Sequence, residues 1–253
     1  MNDLVSIVMP SYNNGAYIAD SIESVFAQTY KNWELLIVDD CSTDDSLKII
    51  QSYSDPRIIL FRNEKNSGAA LSRNYALRQA KGKWVAFLDS DDTWMPDKLE
   101  KQIRFMVENN YSFTFTDYRI CLNGQLMPYI NIGPDHVNKR KLYNYCYLST
   151  LTVMYDREKV GLIQIADIKK NNDYAMWLKV IEKSDAYRLP ECLSFYTKHE
   201  DSITGGSKFK LIKWHYRMFR IAVGKNPFVS AVLTGNNLVH GAWKKIHYKQ
   251  AIE

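Results

Sequence analysis

Four apolar runs in the first ninety residues carry the clearest pattern in the chain. They are Val5–Met9, "WELLIV" at 33–38, "RIILF" at 57–61 and "WVAFL" at 84–88, short, mostly continuous and rich in β-branched and aromatic residues. Such runs predict strands buried on both faces, as in a parallel sheet. Stretches with helical character separate them. Ala16–Gln28 repeats Ile18, Ile22, Val25 and Phe26 on one face. "CSTDDSLKIIQSY" (41–53) opens with helix-start residues, and "NSGAALSRNYALRQAKG" (66–82) passes from loop to helix to a glycine stop. Strands alternating with helices imply βαβ units and a mostly parallel sheet, which binds ligands outside the carboxyl ends of its strands. The polar clusters Ser11–Asn14, Asp39–Asp40 and Asp89–Asp92 all fall at such ends and are expected to converge.

The pattern loosens after residue 95. Pro96–Asn109 reads as a helix, "YSFTFTDYRI" (111–120) alternates as a strand, 121–146 reads as aromatic-rich loop, "TVMYD" (152–156) as a strand and Asn172–Glu182 as a helix. In "KFKLIKWHYRMFRIAV" (208–223), Phe209, Ile212, Tyr216, Phe219 and Val223 recur at spacings of 3, 4, 3 and 4, with Lys210, Lys213, Arg217 and Arg220 one residue behind. That is an amphipathic helix with a basic stripe. Either it lies on an anionic membrane surface or it packs on the main domain with its cations solvated. Residues 224–253 add Trp243, Lys244 and Lys245, which also suit an interface.

Composition narrows the class. A chain of 253 residues, 46% hydrophobic and 24% charged, has ample material for a folded core. The net charge of +5 is unevenly placed: residues 207–253 hold nine Lys/Arg against one acid, Glu253. A near-neutral body with a basic end suggests one region meeting an anionic surface. No nucleic-acid-reading motif accompanies the charge, so nucleic acid is not expected as a partner. Cys41, Cys121, Cys146 and Cys192 are widely spaced and read as free thiols of a reducing compartment. The opening "MNDLVSIVMPSYNNG" does not read as a signal peptide, and no apolar stretch reaches spanning length. A cytoplasmic protein, peripheral on the membrane through its basic end, is the expectation.

Three acids, Asp89, Asp91 and Asp92, directly follow a buried strand. They repel one another unless a cation joins them. In one chemistry Asp89 is a nucleophile towards phosphate, with Asp91 as acid, in the D-x-D-x-T pattern of phosphatases and phosphotransferases that Thr93 completes. In the other the acids hold Mg²⁺ or Mn²⁺ under the diphosphate of a sugar nucleotide. The nucleophilic pattern belongs after a first strand, whereas here three βα units precede it. Asp40 can accept the N3–H of a uracil ring on which Tyr12 stacks. Arg73, on the helix after "NSGAA", can reach a phosphate or base. Asp173 stands at the start of a helix among apolar and aromatic neighbours, where a carboxylate can act as a general base or simply favour the helix dipole. "YTKHEDSIT" offers His199, Ser202 and Thr204 as polar groups for a diphosphate or metal.

Taken together, the stretches "VSIVMPSYNNGAYIADSIESVFAQTYKNWELLIVDDCSTDDS", "NSGAALSRNYAL", "AKGKWVAFLDSDDTWMPDKLEKQI", "NNDYAMWLKV" and "YTKHEDSIT" resemble the family 2 glycosyltransferases of GT-A fold over residues 4–204. The resemblance implies an α/β fold with a Rossmann-like, mostly parallel central sheet flanked by helices. It implies a catalytic domain over 1–206, with a nucleotide-binding half (1–100) and an acceptor-binding half (101–206), followed by a helical appendage over 207–253. The activity implied is transfer of a sugar from a UDP-sugar to a hydroxyl of a glycan or polyprenyl-diphosphate-linked acceptor in surface-polysaccharide synthesis. Inversion at the anomeric carbon would give a β-glycoside. In family terms Pro10, Tyr12, Asp40, Arg73, Asp89 and Ser90 bind the donor. Asp91 and Asp89 hold the metal, with Asp92 and His199 as further candidates, and Asp173 is the catalytic base. Two positions depart from the family: Asn172 replaces the Glu before the base, and Cys41 replaces a Gly, which requires a turn that avoids positive φ. A non-catalytic sugar-nucleotide-binding scaffold on the same fold is a further alternative.

Overall fold

The computed structural model describes residues 2–198 and 208–252. The chain opens with β1 (Val5–Ser11), α1 (Ile18–Phe26), β2 (Trp33–Asp39), α2 (Ser46–Gln51), β3 (Ile58–Arg62), α3 (Ala69–Gln79) and β4 (Trp84–Phe87). These strands lie in the order β3–β2–β1–β4, all parallel, with Ser11 beside Asp39 in register. The continuous apolar runs have the expected cause. Ile7 and Met9 of β1 and Trp84 and Ala86 of β4 face one core, against α1, while Val8, Val85 and Phe87 face the other.

Beyond β4 the sheet changes character. A short β5 (Thr93–Trp94) and α4 (Lys98–Glu108) lead to β6 (Phe113–Leu122), β7 (Gln125–Asn131), β8 (His136–Val137) and α5 (Lys139–Asn144). β9 (Val153–Asp156), α6 (Arg157–Val160), α7 (Asn172–Val180) and β10 (Ala186–Lys198) complete the second half. β9 joins β4 to β6 by antiparallel pairing on both sides, and β10 runs parallel to β6. The eleven-stranded sheet is therefore mixed: parallel in its first half, largely antiparallel in its second. The 121–146 stretch is not loop alone, since it holds β7, β8 and α5.

At the C-terminal end α8 (Lys208–Arg217) runs into a π-helical turn, Met218–Ala222, followed by α9 (Pro227–His247) and β11 (Lys249–Ala251), which pairs with β7. Met218 and Phe219 are fully buried in the same core as Trp177 of α7. Phe219 packs on Tyr174 with ring centroids 6.1 Å apart, and Asn237 of α9 donates to the Tyr174 hydroxyl at 2.8 Å. The segment thus packs on the sheet-bearing body. Its predicted apolar stripe is only partly inward: Phe219 is buried, Ile212 is exposed, and Lys213, Arg217 and Arg220 face solvent.

Candidate active site

The carboxyl ends of β1, β2 and β4 meet, and side chains lace them together. Asn14, in the loop after β1, donates its amide to Ser90 Oγ at 2.6 Å. Its neighbours reach the loop after β2: the Asn13 amide donates to Ser42 Oγ and the Gly15 amide to Asp44 Oδ2. Pro10 and Ser90 are buried beneath this lacing, and Tyr12 stands 47% exposed above it.

Asp40 is almost fully buried, and the loop preceding α3 holds its carboxylate. One oxygen accepts from Asn63 Nδ2 at 2.7 Å and the Ser67 amide at 2.8 Å; the other accepts from the Gly68 amide at 2.7 Å. A carboxylate has about four acceptor positions, so one remains for a ligand. Its neighbour Asp39 keeps one buried oxygen without a partner among the described residues, as does the hydroxyl of Ser11 in register with it. Sequence reasoning did not single out either atom. Cys41 overturns the expectation that its turn avoids positive φ. It sits at φ +64°, and its thiol donates to the Asn63 carbonyl at 3.1 Å. That bond helps offset the left-handed conformation a glycine would take freely.

Arg73 is the hub. It is buried on α3, donating Nη2 to Asp89 Oδ1 at 2.5 Å and Nη1 to Asn172 Oδ1 at 3.1 Å. Burial alone pushes a guanidinium pKa down, but Asp89, Asp173 and Asp91 outweigh it and the net shift is upward. Through these two bonds Arg73 links the acidic turn after β4 to the start of α7, where Asp173 lies. Its Nε is buried with no partner among the described residues. Asn172, the departure from the family's Glu, thus has a specific place: a neutral acceptor that ties the start of α7 to Arg73.

Asp91 is half-buried and faces a cavity of about 370 Å³ lined also by Tyr17, Asp20, Thr93, Phe195 and Thr197. Asp92 points elsewhere. It is buried, accepts the Thr197 amide at 2.8 Å and so ties β10 to the acidic turn. Burial, then Asp91 and Asp89, push its pKa well up. A buried carboxyl bonded to the amide of a neighbouring strand has the geometry of a structural tie. His199, Ser202 and Thr204 lie outside the described residues. Among the described residues no three His, Cys, Asp or Glu groups form a ready-made cage. The donor set fits a hard divalent cation all the same, because Asp91 with Asp89 supplies oxygens and Mg²⁺-type ions take most ligands from water and phosphate.

Asp173 lies in the first turn of α7, half-buried, accepting from Thr150 Oγ1 at 3.3 Å. A larger cavity, about 660 Å³, opens between α5 and α9, away from this chemistry.

Comparison with known proteins identifies the family. The family model described as "Glycosyl transferase family 2" matches residues 6–160. The chain is 42% identical to the putative teichuronic acid biosynthesis glycosyltransferase TuaG of Bacillus subtilis, over 86% of this chain and 87% of that protein. It is 38% identical to the UDP-Glc:alpha-D-GlcNAc-diphosphoundecaprenol beta-1,3-glucosyltransferase WfgD of Escherichia coli, over 95% and 94%. Its fold matches that of S. aureus TarS, solved with UDP-GlcNAc, with a TM-score of 0.73 at 21% identity, covering 92% of this chain and 71% of that one. It also matches that of the mannosyltransferase PcManGT from Pyrobaculum calidifontis, solved with GDP-Man and Mn²⁺, with a TM-score of 0.65 at 16% identity, over 96% and 76%. With the family model matching residues 6–160 and two relatives 42% and 38% identical over most of its length, the chain belongs to the family 2 glycosyltransferases.

Proposed function

We propose that the protein transfers a hexosyl or N-acetylhexosaminyl group from a UDP-sugar to a hydroxyl of a glycan or polyprenyl-diphosphate-linked acceptor in cell-surface polysaccharide synthesis, with inversion to a β-glycoside. The observation that carries this reading is the buried Arg73, bonded both to Asp89 of the acidic turn after β4 and to Asn172, the residue before Asp173 at the start of α7. Tyr12 stacks the base, and Asp40, with Asp39 beside it, accepts its N3–H. Pro10, Ser90 and Arg73 shape the donor cleft. Asp91, with Asp89, holds Mn²⁺ or Mg²⁺, which when bound offsets diphosphate charge. Arg73 keeps Asp89 oriented and adds positive charge on the leaving-group side. Asp173 takes the proton from the acceptor hydroxyl as its oxygen attacks the anomeric carbon from the opposite face. The relatives, one of them a glucosyltransferase acting on a diphosphoundecaprenol-linked sugar, support the substrate class. The basic segment 207–253 brings the enzyme to the cytoplasmic membrane face where such acceptors lie. No helix among the described residues is long and apolar enough to cross a membrane.

The test is UDP release from UDP-glucose, UDP-galactose and their N-acetyl forms, with Mn²⁺, Mg²⁺ or chelator. Release should require a divalent ion and fall at least a hundredfold in Asp91→Ala. Asp173→Asn should abolish transfer while UDP binding persists. Release unchanged in Asp91→Ala would overturn the reading.

A further inference from the structure

α9 has two faces of opposite kind. Ser230, Thr234 and Asn237 are buried against the body. On the other side Phe228 is 78% exposed, Val232 48%, Val239 69% and Trp243 56%. At the α-helical 100° per residue these four fall within an arc of about 60°, opposite the buried three. Nothing among the described residues covers them, and Ala231, Gly235 and Ala242 beside them are small and exposed. A 21-residue helix of about 31 Å therefore carries a continuous apolar ridge with an aromatic near its C-terminal end.

The segment that carries the ridge is cationic in sequence. Residues 208–252 contain nine Lys/Arg and no Asp or Glu. Arg220 is exposed at the N-terminal end of the ridge, where its guanidinium donates to the Lys225 carbonyl. Lys225 and Arg140 line the open cavity between α5 and α9, together with Val229 and Leu233. The acids of that neighbourhood are already engaged, Glu182 with Lys139 and Asp185 with His136. At the other end, Lys249 sits over Tyr129. An apolar ridge rimmed by cations fits an anionic bilayer interface: the ridge enters the acyl boundary and the cations meet lipid phosphates. A second copy of the chain would bring two such cationic rims together, which opposes self-association.

We infer that α9, through Phe228, Val232, Val239 and Trp243, is the element that seats this protein on an anionic phospholipid bilayer, rather than the basic stripe of α8. This deepens the reading of a lipid-linked acceptor and rests on it for purpose, though not for its physical basis. The orientation follows from the packing: with the outer face of α9 on the bilayer, the inner face still holds Tyr174, the neighbour of Asp173, through Asn237.

The experiment is co-sedimentation of the full chain with vesicles of phosphatidylglycerol and phosphatidylethanolamine, against vesicles of phosphatidylcholine alone. UDP release from a UDP-sugar is measured on the same samples. Binding to the anionic vesicles only, weakening with salt, is expected. The double variant Phe228→Ser, Trp243→Ser should need about tenfold or more lipid for half-binding, with UDP release unchanged. Because Trp243 is exposed on the ridge, brominated lipids give a second readout: they should quench native fluorescence more than that of Trp243→Phe. Native-like vesicle binding by the double variant overturns the inference, as does an unbound native chain that still releases UDP. A concentration-dependent dimer that the double variant abolishes, without vesicle binding, overturns it in favour of a second copy. Loss of UDP release by the native chain instead defeats the enzymatic reading and leaves the vesicle result legible.

Discussion

Single residues at the strand ends explain how the site is held before any ligand arrives. Ser67 and Gly68 give their amides to Asp40, and Arg73 spans from Asp89 to Asn172. The acids themselves were legible because a buried strand followed by clustered carboxylates is costly without a partner. Asn172 was legible only as a departure, since nothing in its type shows that a guanidinium from α3 will meet it. The unpartnered oxygens of Asp39 and Ser11 were invisible, because satisfaction is a property of the neighbours and not of the residue. Cys41 was misjudged for a related reason: its left-handed φ is held by a thiol bond to a residue 22 positions away. Non-glycine residues in that region carry a strain of about 1 kcal/mol. Cys41→Gly is therefore expected to raise the melting temperature by about 2–4 °C, less whatever the thiol bond contributes; thermal denaturation checks it. A fall of several degrees would show that the bond outweighs the strain.

The elements of the first half were read from continuous apolar runs because both faces of a parallel sheet are covered. The second half hid several, β7 and β10 among them. β10 contains Pro190 and breaks register with β6 on either side of Cys192, so its period of two is lost. β7 is exposed along much of its length and carries Pro128. α9 holds Gly235, Asn236, Asn237 and Gly241, poor helix formers, and is started by Asn226, whose side chain caps it, with Pro227 in the first turn. Among the helices, α4 offers a test of burial. Lys98 is fully buried, donates to Gln102 at 2.6 Å and lies over the Trp94 ring. Desolvation lowers its pKa from 10.5 to about 7. Above pH 7 the unfolded chain holds a proton that the folded chain has lost, so stability gains about 1.4 kcal/mol per pH unit until the unfolded lysine titrates. Below pH 7 both states are protonated and the full penalty remains. Lys98→Met is expected to stabilise by on the order of 3 kcal/mol at pH 7, with the advantage shrinking towards pH 10. Urea titrations at several pH values read this directly; a pH-independent difference would refute it.

At the scale of the whole molecule, the basic end is part of the catalytic body. Met218 and Phe219 complete the core that Trp177 occupies, and Asn237 fixes the tyrosine next to Asp173. Composition could mark this segment as cationic but not which of its faces is covered, because only the position of α7 decides that. Phe219→Ala should cost about 3–4 kcal/mol and lower sugar transfer more than UDP binding, since the cavity opens beneath α7 rather than beneath β1 and β2. Chemical denaturation and isothermal titration with UDP separate the two effects; equal losses in both would place the damage elsewhere.

The amides that grip Asp40 belong to the residues immediately before α3, and Arg73 sits one turn into that helix. On the reading that Asp40 meets the base and Arg73 the far end of the donor, both ends of the nucleotide are gauged by one short rigid ruler. A base that fits badly tilts the ruler, and the tilt is felt at the opposite end, where the bond to the sugar breaks. Nucleotide identity would then be audited in the rate of turnover, even where a mismatched donor still finds room to bind.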